Sequence, residues 1–288
     1  YFTGNAITVT GNFGSSGTAG NRRIRFFSAS GSSATPTGIA QVLTINGTAN
    51  PTDVDFQDIK FAGSVGSVTG TRISSLGNTT NLTASAPKTV YWNLAGAQNW
   101  RATAWATSSG GSPNINNFPL AQDTAIFDNA GSIGTITLST GYNIPNFNAS
   151  ARTTAMSFIW GNNPNMLGDF ILSSSVSMSG AQTLFFYKRG TQTIISAGAI
   201  SATLSFDFRN YTGTTQLGDA LSTPGTLTHT SGTFDAVSYN VTVASYTLST
   251  ATNTTLKMGS GTWTLSGTGT VWSIPANSNF YKGTANIV

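Results

Sequence analysis

Residues 226–265 read TLTHTSGTFDAVSYNVTVASYTLSTATNTTLKMGSGTWTL, and this stretch decides the fold. Apolar residues alternate here with Thr or Ser, which is the period-two pattern of a half-buried strand. Prominent apolar positions follow one another at gaps of seven or eight: Leu227, Phe234, Val241, Leu248, Leu256, Trp263 and Val271. Each gap fits one short strand and one turn.

Every third member of this series recurs at a spacing of 21 to 23 positions. Phe234 and Leu256 are 22 positions apart, and so are Val241 and Trp263. Three strands per coil of about 22 residues is the sequence period of a parallel β-helix. We therefore predict an all-β fold, a parallel β-helix (β-solenoid) with three strands in each coil of that length.

One column of this pattern extends toward the N-terminus through Phe206, Leu184, Phe158 and Ile136. The wider spacing between Phe158 and Leu184, 26 positions, is interpreted as a longer turn. A looser trace through Ile7, Phe26, Ile45, Val68 and Val90 favours one continuous solenoid. The predicted organisation is N-terminal coils over residues 1–90, a Trp-rich excursion over 91–132 with its core at 91–128, and C-terminal coils over 133–288.

The composition agrees with a repeating β fold. Thr, Ser, Gly and Asn make up 138 of 288 residues, whereas 8% of residues are charged and none is Glu. Helical and doubly wound α/β folds are disfavoured because residues that build surface helices are scarce. Thr suits strand surfaces, and Gly and Asn suit turns. Residues 97–109 and 146–156 are the only places where the sequence could form a short helix.

Several classes of function are excluded or disfavoured. The absence of Cys removes disulfides and thiolate metal sites, and we predict no cofactor. No apolar stretch is long enough for a transmembrane helix, so we predict no membrane span. Arg22, Arg23 and Arg25 form the one tight basic cluster, which we interpret as a solvated loop, and we predict no nucleic-acid partner. The Tyr1 start lacks an initiator Met, so we expect the chain to be processed or part of something longer.

Residues 91–128 do not follow the coil period, and they contain Trp92, Trp100 and Trp105. We expect this excursion to fold against the solenoid flank with the three Trp as its small core. The alternative makes the same three Trp a binding platform for a glycan or another partner, because aromatic rings stack on sugars.

The motif in this segment is carried by Tyr91-Trp92, Gly96, Asn99-Trp100, Trp105, Ser109-Gly110-Gly111, Pro119, Asp123 and Phe127. It resembles a module of large surface and virion proteins, and it is similar to the passenger domains of bacterial autotransporters. Residues 225–272 resemble β-solenoid repeats of tailed-phage structural proteins, particularly tail-fibre or spike-like ones. Together the two stretches cover about a third of the chain. The resemblance implies an extracellular or virion scaffold and no particular activity.

Few residues are suited to catalysis, and we predict no catalytic residue. Asp53 and Asp55 share a strand face opposite Phe56, which we expect to be a solvated outer face; the alternative makes these two residues ligands for a cation such as Ca²⁺. Asp207 and Arg209 are expected to form an outward ion pair of small value. His229, the single His, is expected to have a structural or turn role.

These features predict a structural component of a virion appendage or extracellular fibre, located in the virion or at the cell surface. Its expected partners are other copies of itself or neighbouring structural subunits, with cell-surface glycan as a further candidate. A solenoid has unpaired edges at both ends, which further chain or a partner subunit is expected to cover. The alternatives are a bacterial surface adhesin with an autotransporter-like passenger domain and a β-helix polysaccharide depolymerase.

Overall fold

The computed structural model describes residues 6–18, 23–28, 38–131, 134–249, 253–276 and 278–288. The chain is an all-β protein, a parallel β-helix of about 11 coils with about 22 residues in each coil. The predicted fold class is confirmed. Among the described residues, the one helical element is a single 3-10 turn at Ile115–Asn117, so neither of the two segments that could form a helix, 97–109 and 146–156, does so.

The first six strands build two small parallel sheets, which we call the N-terminal stack. The sheets have the orders β1-β3-β5 and β2-β4-β6. The bounds are β1 (Ile7–Val9), β2 (Ile24–Phe27), β3 (Gln41–Ile45), β4 (Val54–Gln57), β5 (Ile59–Ala62) and β6 (Ser74–Ser75). Gln41 lies opposite Ile59 and Asp55 opposite Ser74, 18 and 19 positions apart, whereas Ile7 lies opposite Leu43, 36 positions away, so the coil length varies within this stack. Buried side chains from Leu43 to Ile73, with Phe56 and Phe61 among them, form their core.

Residues 88–288 build a second and longer set of coils, the C-terminal stack, whose strands form three columns. The first column holds β8 (Gln98–Asn99), β11 (Thr135–Leu138), β14 (Met156–Trp160), β17 (Val176–Ser179), β21 (Leu221–Ser222), β23 (Val241–Val243), β26 (Thr262–Leu265) and β29 (Asn286–Ile287). The second holds β12 (Asn143–Ile144), β15 (Asn165–Met166), β18 (Thr183–Phe186), β24 (Ser245–Leu248) and β27 (Trp272–Ser273).

The third column holds β7 (Thr89–Trp92), β9 (Trp105–Ala106), β10 (Thr124–Ile126), β13 (Asn146–Asn148), β16 (Phe170–Ile171), β19 (Thr191–Ile195), β25 (Thr254–Lys257) and β28 (Asn279–Tyr281). Two long strands, β20 (Ser205–Leu217) and β22 (Thr226–Asp235), turn the corner between columns two and three. The first part of β20 pairs with β18 and its last part with β19, so the two columns join into one 15-stranded sheet.

One hydrophobic core runs through the C-terminal stack from Val90 to Ala285. Aromatic rings from successive coils stack in it, as between Phe186 and Phe206 with centroids 5.5 Å apart and between Phe208 and Phe234 with centroids 4.3 Å apart. Parallel pairing at about 4.8 Å places like side chains above one another. Burial of each such ring contributes about 1.5–3 kcal/mol, so the core holds the coils together as a unit.

The structure corrects one column of the sequence pattern. Ile136 pairs with Phe158, as predicted, but Phe158 next pairs with Met178 in the first column. Leu184 lies in the second column and pairs with Phe206. The wide spacing between Phe158 and Leu184 is therefore a change of column instead of a longer turn, because apolar alternation is present in all three columns.

The coils of this β-helix are divided between the two stacks. Across the ranges that the structure describes, no strand of the N-terminal stack pairs with a strand of the C-terminal stack, and each stack has its own core. The last backbone bond within the N-terminal stack joins the Ser85 amide to the Ile73 carbonyl. The chain then enters β7 and begins the second stack, against whose side the first one packs.

The Trp-rich excursion covers the end of the C-terminal stack and not its flank. Strand β9 returns antiparallel to β7 and places Trp105 opposite Trp92. In the described part of the chain this is the one antiparallel strand pair, and β9 and β8 are the terminal strands of their sheets. A reversal at this position ends the parallel stacking and caps the first coil, which protects a sheet edge.

Candidate functional site

The polar residues of this chain concentrate where the two stacks meet, a surface that we call the seam. Asp53 and Asp58 flank β4, and Asp55 lies within it. Asp53 and Asp58 both have a φ of 55°, a left-handed conformation that Asp tolerates better than most residues. These turns confine β4 to four residues, with Phe56 in the core and the carboxylates on the opposite side.

Three arginine contacts neutralise the carboxylates of Asp53 and Asp55. Arg23 donates from Nε to Asp55 Oδ1 at 2.8 Å, and its Nη1 lies 3.3 Å from Asp53 Oδ1. Arg72 binds Asp53 through two parallel bonds of 2.7 Å each, a bidentate geometry that adds strength and direction. The Asp53 bond raises the pKa of Arg72 above its usual value, against the opposing effect of partial burial.

Asp53 and Asp55 are 2% and 1% exposed, so the solvated outer face expected for them is wrong. The cation site at these two residues stays a prediction, and guanidinium groups of Arg23 and Arg72 already pair with both carboxylates. No group of three or more His, Cys, Asp or Glu suited to a metal occurs in the residues described. The aspartates therefore have a structural role at the seam.

The basic cluster is likewise part of the seam. Arg22 lies outside the described residues, but the Arg23 side chain is only 10% exposed and Arg25 lies over the Phe27 ring at 4.7 Å. Burial lowers the pKa of Arg25, whereas the neighbouring Tyr187 and Asp55 act in the opposite direction. The expected solvated loop is wrong at Arg23 and Arg25, since both side chains are used for packing and pairing.

Two of these aspartates have partners on the other side of the seam. Asn143 of the C-terminal stack donates from Nδ2 to Asp55 Oδ2 at 2.8 Å. Arg189 forms a salt bridge with Asp58, which is fully buried and also accepts a bond of 2.9 Å from Asn78 Nδ2. Every carboxylate of β4 and its flanks thus has a charged or amide partner, as buried charge requires.

An apolar and cationic layer lies beside these contacts. Leu76, Leu167 and Tyr187 form a small buried cluster between the stacks. Arg209 lies over the Phe185 ring at 4.1 Å and binds Asp207 through Nε at 2.8 Å. The predicted Asp207–Arg209 pair is confirmed, but Asp207 is 4% exposed, so the pair is buried and not a weak surface contact.

A cavity of about 210 Å³ opens at the same place. It lies between the stacks and is lined by Ser75, Leu76, Gly77, Ala121, Gln122, Leu167, Tyr187, Lys188 and Arg189. Its two cations are both paired, Lys188 with Asp169 at 2.8 Å and Arg189 with Asp58. Both cations of the lining are therefore balanced by aspartates that lie outside it.

Buried polar atoms without a hydrogen-bond partner also concentrate at the seam. Six such side-chain atoms occur in the described part of the chain, and five belong to seam residues: Arg25 Nε, Gln57 Nε2, Asp58 Oδ2, Gln122 Oε1 and Arg189 Nε. The sixth is Trp100 Nε1. Because native proteins pair nearly all buried polar groups, these atoms distinguish the seam from the cores of the two stacks.

Trp92, Trp100 and Trp105 form packed structure and not an exposed platform. Their exposures are 1%, 0% and 1%, and the Trp105 ring meets Trp92 and Trp100 edge-on at 5.3 and 5.0 Å. A stacking platform needs an open ring face, so the binding alternative is wrong for these three residues. They belong to the main core of the C-terminal stack and close its first coil.

Asp123 ties the Trp-rich cap to the start of β7. Its carboxylate accepts backbone N–H bonds from Lys88 at 2.9 Å and Leu120 at 2.8 Å. Burial raises the pKa of Asp123, and the two N–H bonds act in the opposite direction. Gln122, next to it, donates to the carbonyls of Ile73 and Ser85 in the N-terminal stack. The end of the cap is therefore anchored at the seam.

His229 has the structural role that the sequence predicts. Its Nε2 lies 3.0 Å from the Gly232 carbonyl and its Nδ1 3.0 Å from the Tyr246 hydroxyl. A carbonyl only accepts, so Nε2 carries the proton and Nδ1 accepts from Tyr246. Burial lowers the pKa of His229 to about 4.

Sequence reasoning missed the partners of the aspartates. Arg72, Asn143 and Arg189 lie 19, 88 and 131 positions from the carboxylates that they bind. One signal was present: in a chain with so few charges, three Asp close together beside a buried strand require cationic partners. The sequence does not indicate which of its arginines supply them.

Comparison with protein-family models, with curated proteins and with solved structures finds no match to this chain. No helix within the described ranges has the length and apolar character needed to cross a membrane.

Proposed function

We propose that this chain is a structural component of a virion appendage or extracellular fibre, of the tail-fibre or spike-like kind that its repeats resemble. The observation that carries the proposal is the uninterrupted core of the C-terminal stack, which extends from Val90 to Ala285. A core shared by all coils of this stack gives a stiff rod, because bending would separate the packed side chains of several coils at once.

The distribution of charge supports the same proposal. Four of the buried acidic side chains, Asp53, Asp55, Asp58 and Asp207, are each bound to an arginine. Paired carboxylates of this kind hold segments in place, and they leave no free acid–base pair on β4 for glycan cleavage. A scaffold uses all of them, whereas a depolymerase needs two carboxylates that face a substrate.

Partners in the assembly would be neighbouring structural subunits or other copies of this chain. The last described coil presents apolar side chains, with Tyr281 at 60% and Val288 at 72% exposure. Strands β27, β28 and β29 each have one edge without a partner strand among the described residues. An added coil or a subunit at this end would cover both features.

Immunogold electron microscopy of purified virions and surface filaments from the source tests the proposal. Labelling is expected at regular positions on an appendage or fibre. Label that is absent from every particle and filament while the protein is present in the cell interior would overturn the proposal.

A bacterial surface adhesin with an autotransporter-like passenger domain remains the second candidate, since the Trp-rich cap carries that resemblance. The two candidates differ in the gene. A membrane barrel or wall anchor encoded downstream of Val288 would favour the adhesin, whereas neighbouring genes for virion subunits would favour the appendage.

A further inference from the structure

We infer that the N-terminal stack is a hinged unit, which rotates away from the C-terminal stack about residues 86–87 while both cores stay folded. This goes beyond the scaffold role, which does not require the two stacks to separate. In an extended assembly, such a hinge would supply one flexible point beside a rigid rod. The inference rests on the connection between the stacks, on their separate cores, and on the polar seam with its open cavity.

A short exposed connection provides the hinge. Ser85 is held by the N-terminal stack, because its amide donates to the Ile73 carbonyl. Lys88 is held by the C-terminal stack, because its amide donates to Asp123 Oδ1 at 2.9 Å. Residues 86–87, an Ala-Pro pair, are exposed, and in the described part of this segment neither forms a backbone hydrogen bond. Rotation at these two residues therefore leaves the strands of both stacks intact.

Each stack keeps its own core when the seam opens. In the ranges described, no strand of one stack pairs with a strand of the other, so opening breaks no strand pair. The two larger apolar clusters each lie within one stack. Of the three buried apolar clusters in the described residues, only the smallest, formed by Leu76, Leu167 and Tyr187, lies across the seam. Opening therefore exposes little apolar surface.

Water can replace the polar contacts that opening breaks. Arg189 and Asp58 regain their hydration when they separate, and this gain offsets much of the lost attraction, because burial of an ion pair is itself costly. The bond from Asn143 to Asp55 is replaced in the same way. Arg189 Nε and Asp58 Oδ2 have no hydrogen-bond partner in the closed seam. These two atoms favour the open state, because water can pair with them there.

The packing across the seam is incomplete. A cavity of about 210 Å³ lies between the stacks, lined by Leu76 and Gly77 on one side and by Leu167 and Tyr187 on the other. Protein cores are close-packed, with few voids larger than a water molecule. The side chains around the cavity therefore lack part of the dispersion attraction that holds a core together. The seam is expected to open at a lower free energy than either core unfolds.

Thiol labelling tests the inference, because the chain contains no Cys of its own. Four variants of the full chain each carry one thiol: Leu76→Cys and Leu167→Cys on the two sides of the seam, and Val68→Cys and Val243→Cys in the two cores. Each variant reacts with a bulky maleimide under native conditions, and mass spectrometry follows the labelling. The two seam thiols are expected to react at the same rate within about threefold, and at least about 100-fold faster than the core thiols, because one opening event exposes both.

Asn143→Ala is the matched variant, since it leaves Asp55 Oδ2 without this donor in the closed seam and changes nothing in the open one. Labelling of both seam thiols should accelerate by about tenfold, the cost of one lost hydrogen bond. Asn240→Ala is the control, because Asn240 Oδ1 accepts its bond of 2.8 Å from the Thr262 amide within the C-terminal stack; it should not change these rates. If Asn143→Ala fails to fold, the rates of the four thiol variants decide alone.

Three outcomes would overturn the inference. In the first, the seam thiols react no faster than Val243→Cys, which means that the seam stays closed until the chain unfolds. In the second, Val68→Cys reacts as fast as Leu76→Cys, which means that the N-terminal stack unfolds instead of rotating as a unit. In the third, Leu76→Cys and Leu167→Cys react at clearly different rates, which means that no common opening exposes them. Each of these outcomes leaves the scaffold proposal intact, because that proposal depends on where the protein is located.

Discussion

Asp58 and Arg189 form a salt bridge across the seam although 131 positions separate them in the chain. Three residues earlier in the same segment, Asp55 meets Asn143. Asn143 lies in β12 and Arg189 follows β18, two coils further along the C-terminal stack. The two contacts therefore tie one segment of the N-terminal stack to two different coils of the C-terminal stack.

Asp58→Asn is expected to destabilise the protein by about 3–5 kcal/mol, because it leaves the Arg189 guanidinium without its buried counter-charge. Urea unfolding followed by circular dichroism measures the loss. Asp235→Asn is the control, since its partner Lys257 is half exposed and the Nζ–Oδ2 distance is 3.5 Å; it should cost at most about 1 kcal/mol. Equal losses in the two variants would mean that the seam pair does not hold the stacks together.

Trp105→Ala is expected to cost about 3–5 kcal/mol, because this ring fills the contact between Trp92, Trp100 and Phe127 at the capped end. Trp272→Ala, in the last coils, should cost less than half as much, since Trp272 is only partly buried. Denaturant unfolding of both variants gives the comparison. A Trp105 loss no greater than the Trp272 loss would contradict the capping role.

Stability should fall as the pH drops from about 6.5 toward 4, through His229. The folded-state pKa of about 4 lies below the ordinary value of 6.5, so the unfolded chain binds the proton first. The contribution of neutral His229 to the free energy of unfolding is complete above pH 6.5 and is lost below about pH 4. It amounts to about 3 kcal/mol. His229→Gln should have a flatter pH dependence of the unfolding free energy in this window. Identical slopes for parent and variant would show that His229 does not titrate in this way.

Gly259→Ala should cost at least about 3 kcal/mol, through a left-handed backbone and a steric clash together. Gly259 has a φ of +74°, and an added Cβ would lie 1.6 Å from the Val237 carbonyl oxygen of the preceding coil. Gly269 has a φ of +80° with nothing within 4 Å, so Gly269→Ala isolates the backbone term of about 1–2 kcal/mol. Thermal unfolding of both variants tests the difference, and equal values would exclude a tight coil-to-coil approach at Gly259.

The sequence predicted local features correctly where burial alone decides them. The alternation in residues 226–265 places Leu227 and Phe234 inside, and the predicted alignment of Val241 with Trp263 is a true strand pair. The same reasoning failed between Phe158 and Leu184. Both are buried strand residues of similar surroundings, and nothing local distinguishes one column from the next.

The contacts of the seam could not be predicted from the sequence for a related reason. Asp53 and Asp55 were found from their spacing in the strand, but their partners come from three other parts of the chain. A carboxylate on a strand face looks the same in sequence whether water or an arginine faces it. Whether water or an arginine faces the carboxylate depends on how the N-terminal stack packs against the C-terminal stack.

The sequence by itself determined the all-β class, the parallel coil and its length of about 22 residues, because alternation and coil period follow from the geometry of a pleated strand. The tertiary structure alone decided the division into two stacks, the capping of the second stack by Trp105, and the ion pairs of the seam. These depend on contacts such as Asp58 with Arg189, whose formation requires every intervening coil to be in register.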